Sequence, residues 1–581
     1  MGRFKGRLFA VLATMALTVP LWTSGGAAQG TPAHPTRVLI VLFDQMLPQY
    51  ANQFDMPHFR ELRDAGTNFK NAYLGYMASE TVMAHNVITS GQLPKHMGWT
   101  DEAYRDADNL LGKGAGAMHI TGDLSLADFG TLITDADYPK LADYLHEADQ
   151  GSKFIVVGEK SYAVESAVAP ANGIDIGVRL SDRSSSSLHN ECRDTTLGGR
   201  YRFPAGLNVP TYLTEPFCGR FYINSDSSNS YGTTDAFPSN MYPEDGNRFF
   251  PGTDIPPAVA TGHLGGDTWV ADAAIAMMDE DWSGMFVTMG AIDKAAHMWG
   301  AQDDAANFTG DCEDPDPVIR GANQTHVRCA AENADVQLGK LLDAVAAKDA
   351  RDGGETLVVL TADHGATYGK NFYGKTTALP SGTAAGNSNW YYAPTGVYDV
   401  GAFIPPSNPL YNQPAPALNT LIATGNVQFS YQSTAIETWL IDHSIPKMKE
   451  ASKAMLKTPG VIAAYWRDGD HFQLAGTKSM SSSERSWWKE HGQEIVDTMA
   501  ASNGPDVIGL LHDKTSYGVY GDHGGAQESV QRVPMVFWSP SLAFSNTVSK
   551  PMHTYDIMPT ILQLMDIPLT APLDGVARPI D

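Results

Sequence analysis

Four short strings in this chain carry oxygen or imidazole groups in arrangements that suit a divalent metal. Ile292-Asp293-Lys294-Ala295-Ala296-His297 sets a carboxylate and an imidazole at i and i+4. On the first turn of a helix these face the same way and can grip one ion. Thr361-Ala362-Asp363-His364-Gly365 places Asp and His side by side after an apolar run, where a tight turn lets both reach one metal. Tyr520-Gly521-Asp522-His523-Gly524-Gly525 surrounds a third histidine with glycines that allow close backbone approach. Val41-Leu42-Phe43-Asp44 ends an apolar run on a carboxylate, a position that also suits a turn or a helix cap. Any one of the 17 histidines could be an ordinary core or surface residue. The joint occurrence of these strings is what argues for a metal centre.

A nucleophile is available in Ser79-Glu80-Thr81-Val82-Met83-Ala84-His85, where Thr81 opens a helical stretch. Backbone N–H groups and the helix dipole favour an anion at such a place, so a metal-activated hydroxyl there could attack phosphorus. The competing reading is an N-cap threonine. The elements that must position these groups are short apolar runs alternating with helical stretches. Arg37 to Phe43, Phe154 to Val157, Gly284 to Met289 and Thr356 to Leu360 are nearly continuous β-type segments, as expected of parallel strands covered on both faces. This pattern predicts a doubly wound, mostly parallel α/β sheet flanked by helices, with ligands collecting at the carboxyl ends of the strands.

The chain has 581 residues, 40 Lys+Arg against 65 Asp+Glu, and a net charge of −25. That charge disfavours wrapping of nucleic acid. Arg3, Lys5 and Arg7, the apolar run Leu8 to Trp22 and the small residues Gly26-Ala27-Ala28 read as a signal peptide over residues 1–28. The expectation is a periplasmic or secreted protein with no later membrane span. Cys192, Cys218, Cys312 and Cys329 allow three pairings, and the short separations favour Cys192 with Cys218 and Cys312 with Cys329. A single catalytic domain over residues 29–581 is expected to carry insertions at about 181–252 and 369–510, shaping a cap over the active site. Weaker signals are the acidic loop Asp303 to Asp316, the sequons at Asn307 and Asn323, and the aromatic run Trp390-Tyr391-Tyr392. These read most simply as a solvated loop, host-dependent glycosylation sites and core packing.

The order Asp44, Thr81, Asp293 with His297, Asp363 with His364, then His523 resembles the alkaline phosphatase superfamily, in its nucleotide pyrophosphatase/phosphodiesterase-like branch. Thr81 is followed by His85, Ser90-Gly91, Pro94 and Gly98 at similar spacings, and His553 to Leu562 is similar to a terminal helix shared with sulfatases. The resemblance implies two zinc ions, one on Asp293, His297 and His523, the other on Asp44, Asp363, His364 and the Thr81 oxygen. It also implies a phosphothreonine intermediate. Two cations about 4 Å apart can stabilise attacking and leaving oxygens together.

Two departures bear on the substrate. Glu102 stands where members of the branch often have a phosphate-binding Asn 21 residues after the Thr. Lys160 matches the Lys of a Lys-x-Arg pair found in monoesterases, but Tyr162 stands in place of the Arg, removing a bidentate donor for a phosphate dianion. The sulfatase pattern C/S-x-P-x-R is missing around Thr81. The expectation is an exported two-zinc enzyme hydrolysing small phosphodiesters or nucleotide pyrophosphates. Its alternatives are a phosphomonoesterase and a non-catalytic extracellular binding protein.

Overall fold

The computed structural model describes residues 34–179, 267–299, 301, 325–367, 370–371, 391–392, 421, 424–516, 521–542, 544 and 547–580. The signal segment, Cys192, Cys218, Cys312, the insertion at 181–252, the acidic loop and its sequons, and Trp390 lie outside the described residues. The same holds for the side chains of His297, Tyr391 and Tyr392.

The apolar run Arg37–Phe43 is the hinge of the architecture. Its side chains from Val38 to Phe43 are fully buried, which is possible only for a strand with neighbours on both edges and cover on both faces. It lies between Trp282–Met289 and Thr356–Thr361 in an eight-stranded sheet. Beyond Trp282–Met289 come Lys153–Gly158 and Ile176–Arg179, all parallel. On the other side Met535–Trp538 pairs antiparallel with Thr356–Thr361, followed by Thr67–Phe69 and Thr547–Val548. Each of the central Val, Ile, Leu and Phe side chains contributes roughly 1.5–3 kcal/mol by burial. Helices Asp267–Met277, Ser161–Val168 and Leu141–Ala148 pack on these strands. The mostly parallel, helix-flanked α/β sheet is the one the apolar runs predicted.

Residues of the second expected insertion build a separate six-stranded antiparallel sheet. Its order is Tyr391–Tyr392, Val427–Gln432, Ala435–Leu440, Val507–Leu511, Val461–Asp468 and His471–Thr477. Alternation along Ala435–Leu440 explains its two-sided packing. Ala435 and Trp439 join the main core, whereas Ile436 and Leu440 join a second core with Met455 of the helix Ile445–Met455. On the neighbouring strand a register shift between Val427 and Phe429 moves Val427 to the second core and Phe429 and Tyr431 to the main one. Buried Asp506 ties this sheet to the two-stranded ribbon of Ala103–Asp106 and Ala117–Ile120, its carboxylate accepting from Arg105 Nη2 at 2.9 Å, Arg467 Nη2 at 2.7 Å and the Leu440 N–H at 2.8 Å. Among the described residues no helix is long and apolar enough to cross a membrane.

Candidate metal centre and nucleophile

Three carboxylates emerge side by side because their strands are in register. Phe43 pairs with Met289 and Leu42 with Thr361. Asp44 therefore follows the first strand directly, Asp363 follows its neighbour by two residues, and Asp293 lies in the first turn of the helix Ala291–Trp299 after the third. That helix is capped by buried Asp267, whose Oδ1 accepts the Ala291 N–H at 3.1 Å. His297 lies one turn further along the same helix. Asp363 Oδ1 accepts the N–H groups of Gln45 and His364, both at 3.0 Å. Gln45 reaches that bond in the left-handed region, at φ 63°, a strain of about 1 kcal/mol kept at the site.

His364 is oriented by its Nδ1, which donates to the Gly365 carbonyl at 3.0 Å and leaves Nε2 with its lone pair free to ligate. Nε2 lies 3.7 Å from Asp44 Oδ1, 3.6 Å from Asp363 Oδ2 and 3.5 Å from Thr81 Oγ1. Gly365 is required here, since a Cβ would run into the Ser529 carbonyl. The His523 ring stacks on His364 with centroids 3.7 Å apart, and its Nε2 lies 3.6 Å from Asp293 Oδ1. Two groups result, Asp44 with Asp363 and His364, and Asp293 with His364 and His523, each with ligand atoms within 4.8 Å of one another. One point of placement differs from expectation. His523 does not end a strand of the main sheet; it follows the short pair Thr515–Ser516 and Lys370–Asn371. Its loop is fixed instead by contacts with the antiparallel sheet and with Ser79.

The charge state of this cluster calls for a cation. Burial, followed by the charges of Asp293 and Asp363, drives the Asp44 carboxyl well above its ordinary range. Burial pushes Asp363 up to about 6 and His364 down to about 4. Asp44 Oδ1 and Asp363 Oδ2 are buried and accept no hydrogen bond. Buried carboxylate oxygens beside the neutral His364 imidazole suit zinc or a similar divalent ion.

Thr81 begins the helix Thr81–Ser90, whose ten residues are all buried, and Glu80 is its N-cap. Lys160, itself 3% exposed, donates to Thr81 Oγ1 at 3.0 Å and pairs with Asp44 Oδ2 at 2.7 Å and Asp293 Oδ2 at 2.8 Å. His85 lies one turn along, with Nδ1 donating to the Thr81 carbonyl and Nε2 accepting from the Thr288 hydroxyl, both at 2.7 Å. Burial pushes it down to about 3, so it is a neutral strut between the helix Thr81–Ser90 and the sheet. Tyr162 occupies the first turn of the helix Ser161–Val168 and packs into the main core.

Two residues that chain position did not single out join the site. Glu80 Oε2 lies 2.6 Å from His523 Nδ1, which donates to the Ser79 carbonyl at 3.1 Å. The Tyr431 hydroxyl lies 3.1 Å from Glu80 Oε1 and 3.0 Å from Glu102 Oε2, with one proton to offer the pair. Glu102 is thus turned towards Tyr431. The adjacency of Glu80 to Thr81 was a usable signal; nothing in the sequence pointed to Tyr431.

Residues 38–111 match the family model described as type I phosphodiesterase / nucleotide pyrophosphatase. A search of curated protein sequences found no match. Among solved structures, a mutant form of the alkaline phosphatase PafA is similar at 14% identity and a TM-score of 0.57, covering 94% of this chain and 98% of that one. Wild-type PafA gives 15% identity and 0.55 over the same shares. Murine ectonucleotide pyrophosphatase / phosphodiesterase 5 gives 10% identity and 0.47, over 93% of this chain and 97% of that one. The resemblance drawn from the order of the chemical residues is met on both counts: the chain has the alkaline phosphatase fold and, over residues 38–111, a sequence that the type I phosphodiesterase / nucleotide pyrophosphatase model matches.

Proposed function

We propose that the protein is a metal-dependent phosphoesterase that cleaves small phosphodiesters or nucleotide pyrophosphates with Thr81 as nucleophile. The observation that carries this reading is a single hydroxyl, at the N-terminus of a buried helix, within reach of two ligand groups that share His364. The match of residues 38–111 to a phosphodiesterase family model and the alkaline phosphatase fold support the same chemistry.

In this reading Asp44, Asp363 and His364 hold one divalent ion, and Asp293, His523 and His297 the other. Bound there, the ions would neutralise charge on the entering and leaving oxygens and would lower the pKa of a nearby hydroxyl. The rest is done by the chain. The helix N-terminus draws the phosphoryl group towards Thr81. Lys160, 3.0 Å from Oγ1, offers its ammonium to a non-bridging oxygen. Thr81 gives up its hydroxyl proton to solvent and its Oγ bonds phosphorus as the P–O bond to the leaving group breaks on the opposite side; the released alkoxide takes a proton from water, and a second water then cleaves the phosphothreonine. His85 remains neutral and keeps the first helical turn in place.

Preference for diesters rests on Tyr162. It offers no guanidinium fork for a second pair of phosphate oxygens, and it is 8% exposed within the core. A second reading, phosphomonoesterase, draws on the similarity to an alkaline phosphatase and on Lys160 beside the nucleophile. Zinc as the native metal, the signal peptide over 1–28 and a periplasmic or secreted location complete the proposal. Rates on bis-p-nitrophenyl phosphate and p-nitrophenyl phosphate, which share one leaving group, decide between the readings. A faster monoester reaction would sink the diester preference, and the lack of both reactions in a metal-loaded protein would sink the phosphoesterase.

A further inference from the structure

We propose that Glu80 is a positioning residue for the metal ligand His523, and that Tyr431 of the antiparallel sheet holds Glu80 in that role. The proposal rests on the reading of His523 as a ligand and goes beyond it. The physical case begins with the histidine. An imidazole can ligate through either nitrogen, and the one used is set by the partner of the other. His523 Nδ1 lies 2.6 Å from Glu80 Oε2 and 3.1 Å from the Ser79 carbonyl oxygen. The Ser79 carbonyl can only accept, so Nδ1 carries the proton and Nε2 faces Asp293, 3.6 Å away. An acidic side chain packed on the far nitrogen also fixes the orientation of the ring.

Glu80 could not do this on its own. It precedes Thr81 with no side-chain cap bond to its own helix, and its carboxyl is 1% exposed. What fixes it is Tyr431, whose hydroxyl lies 3.1 Å from the second carboxylate oxygen. The same stretch of the antiparallel sheet clamps the histidine's loop. The Ser433 and Thr434 hydroxyls both donate to the Gly524 carbonyl at 2.7 Å, and the Thr434 N–H donates to the His523 carbonyl at 3.2 Å. Gly524, at φ +76°, leaves the room that Glu80 Oε1 occupies, since a Cβ there would collide with it. Ring, loop and carboxylate are thus located together from one hairpin.

The test is zinc affinity, measured by competition with a chromophoric chelator on metal-stripped and reloaded protein. The wild type is expected to take up two ions. Glu80→Ala is expected to weaken one of them by roughly 10–100-fold and leave the other unchanged. Glu80→Gln, which keeps an acceptor oxygen without the charge, should recover part of that loss. Tyr431→Phe, which removes only the hydroxyl, should cost several-fold at the same ion and guards against a folding defect in the Glu80 variants. A purely structural role would lower the melting temperature of the metal-free protein without selective loss at one ion. Two ions bound with wild-type affinity by both Glu80→Ala and Tyr431→Phe would overturn the proposal alone. A wild type that takes up no divalent ion would remove the metal-site reading, and this inference with it.

Discussion

The two sheets of this protein contribute to its candidate centre in different ways. The parallel sheet supplies ligands directly: Asp44, Asp363 and Asp293 follow three adjacent strands whose register aligns their ends. The antiparallel sheet supplies no ligand among the described residues. It supplies restraint, through Tyr431 on Glu80 and through Ser433 and Thr434 on the loop of His523. Parallel strands buried on both faces have few conformational alternatives, so a residue at their end is placed by the backbone itself. A histidine in a glycine-flanked loop has many, and must be held from outside. The difference teaches that the carboxylates of the candidate centre are set by strand topology, whereas His523 is set by cross-sheet contacts.

Substitutions should separate the two contributions. Thr81→Ala should have the largest effect, reducing turnover by about 10⁴-fold or more while two metal ions remain bound. Rates on an aryl phosphodiester, with metal content measured in parallel, check this; full hydrolysis by the variant would remove Thr81 as nucleophile. Next comes the carboxylate that ties the antiparallel sheet to the ribbon strand Ala103–Asp106. Asp506→Ala leaves Arg105 buried without its partner and should lower unfolding free energy by about 3–5 kcal/mol, measured in urea. A loss below about 1 kcal/mol would mean that the antiparallel sheet does not depend on this contact with the ribbon.

A smaller effect concerns pH. The folded pKa of His85 is about 3, below the ordinary 6.5, so between these values the unfolded chain binds the extra proton. Stability from this group is full above about pH 6.5 and is lost as pH falls towards 3, at up to roughly 1.4 kcal/mol per unit. Asp363, raised to about 6, acts in the opposite sense between about pH 4 and 6, so the total slope mixes both. The comparison of metal-free wild type with His85→Gln isolates the histidine. The difference between pH 7 and pH 5 should be about 2 kcal/mol, and equal slopes would refute it. The smallest effect belongs to the second core. Ile436→Val should cost about 0.5–1.5 kcal/mol and leave zinc affinity unchanged, because Ile436 faces Met455 and not the metal centre.

How much of this was readable from the chain depends on distance along it. The strand ends were readable because a buried parallel strand writes itself as an unbroken apolar run, and the ligand follows within a few residues. Asp363 and His364 are neighbours, and the residues from Thr81 to His85 share one helical turn, so their meeting is local geometry. Glu80 carried a partial signal, as an acidic residue opening an otherwise uncharged buried helix. Tyr431 carried none. It lies 351 positions from Glu80, in a segment whose aromatic and polar residues look like those of any half-buried strand.

Local sequence therefore determined the kinds of groups present, the strands that end beside them and the alternation that gives the second sheet two apolar faces. Those properties follow from side-chain periodicity and hydrogen-bonding capacity, which act over a few residues. Tertiary structure alone decided that His523 Nε2 faces Asp293, that Glu102 faces Tyr431, and that Lys160 reaches Asp44, Asp293 and Thr81 together. Such contacts join segments hundreds of residues apart, and only the packing of the whole chain brings them within hydrogen-bonding range.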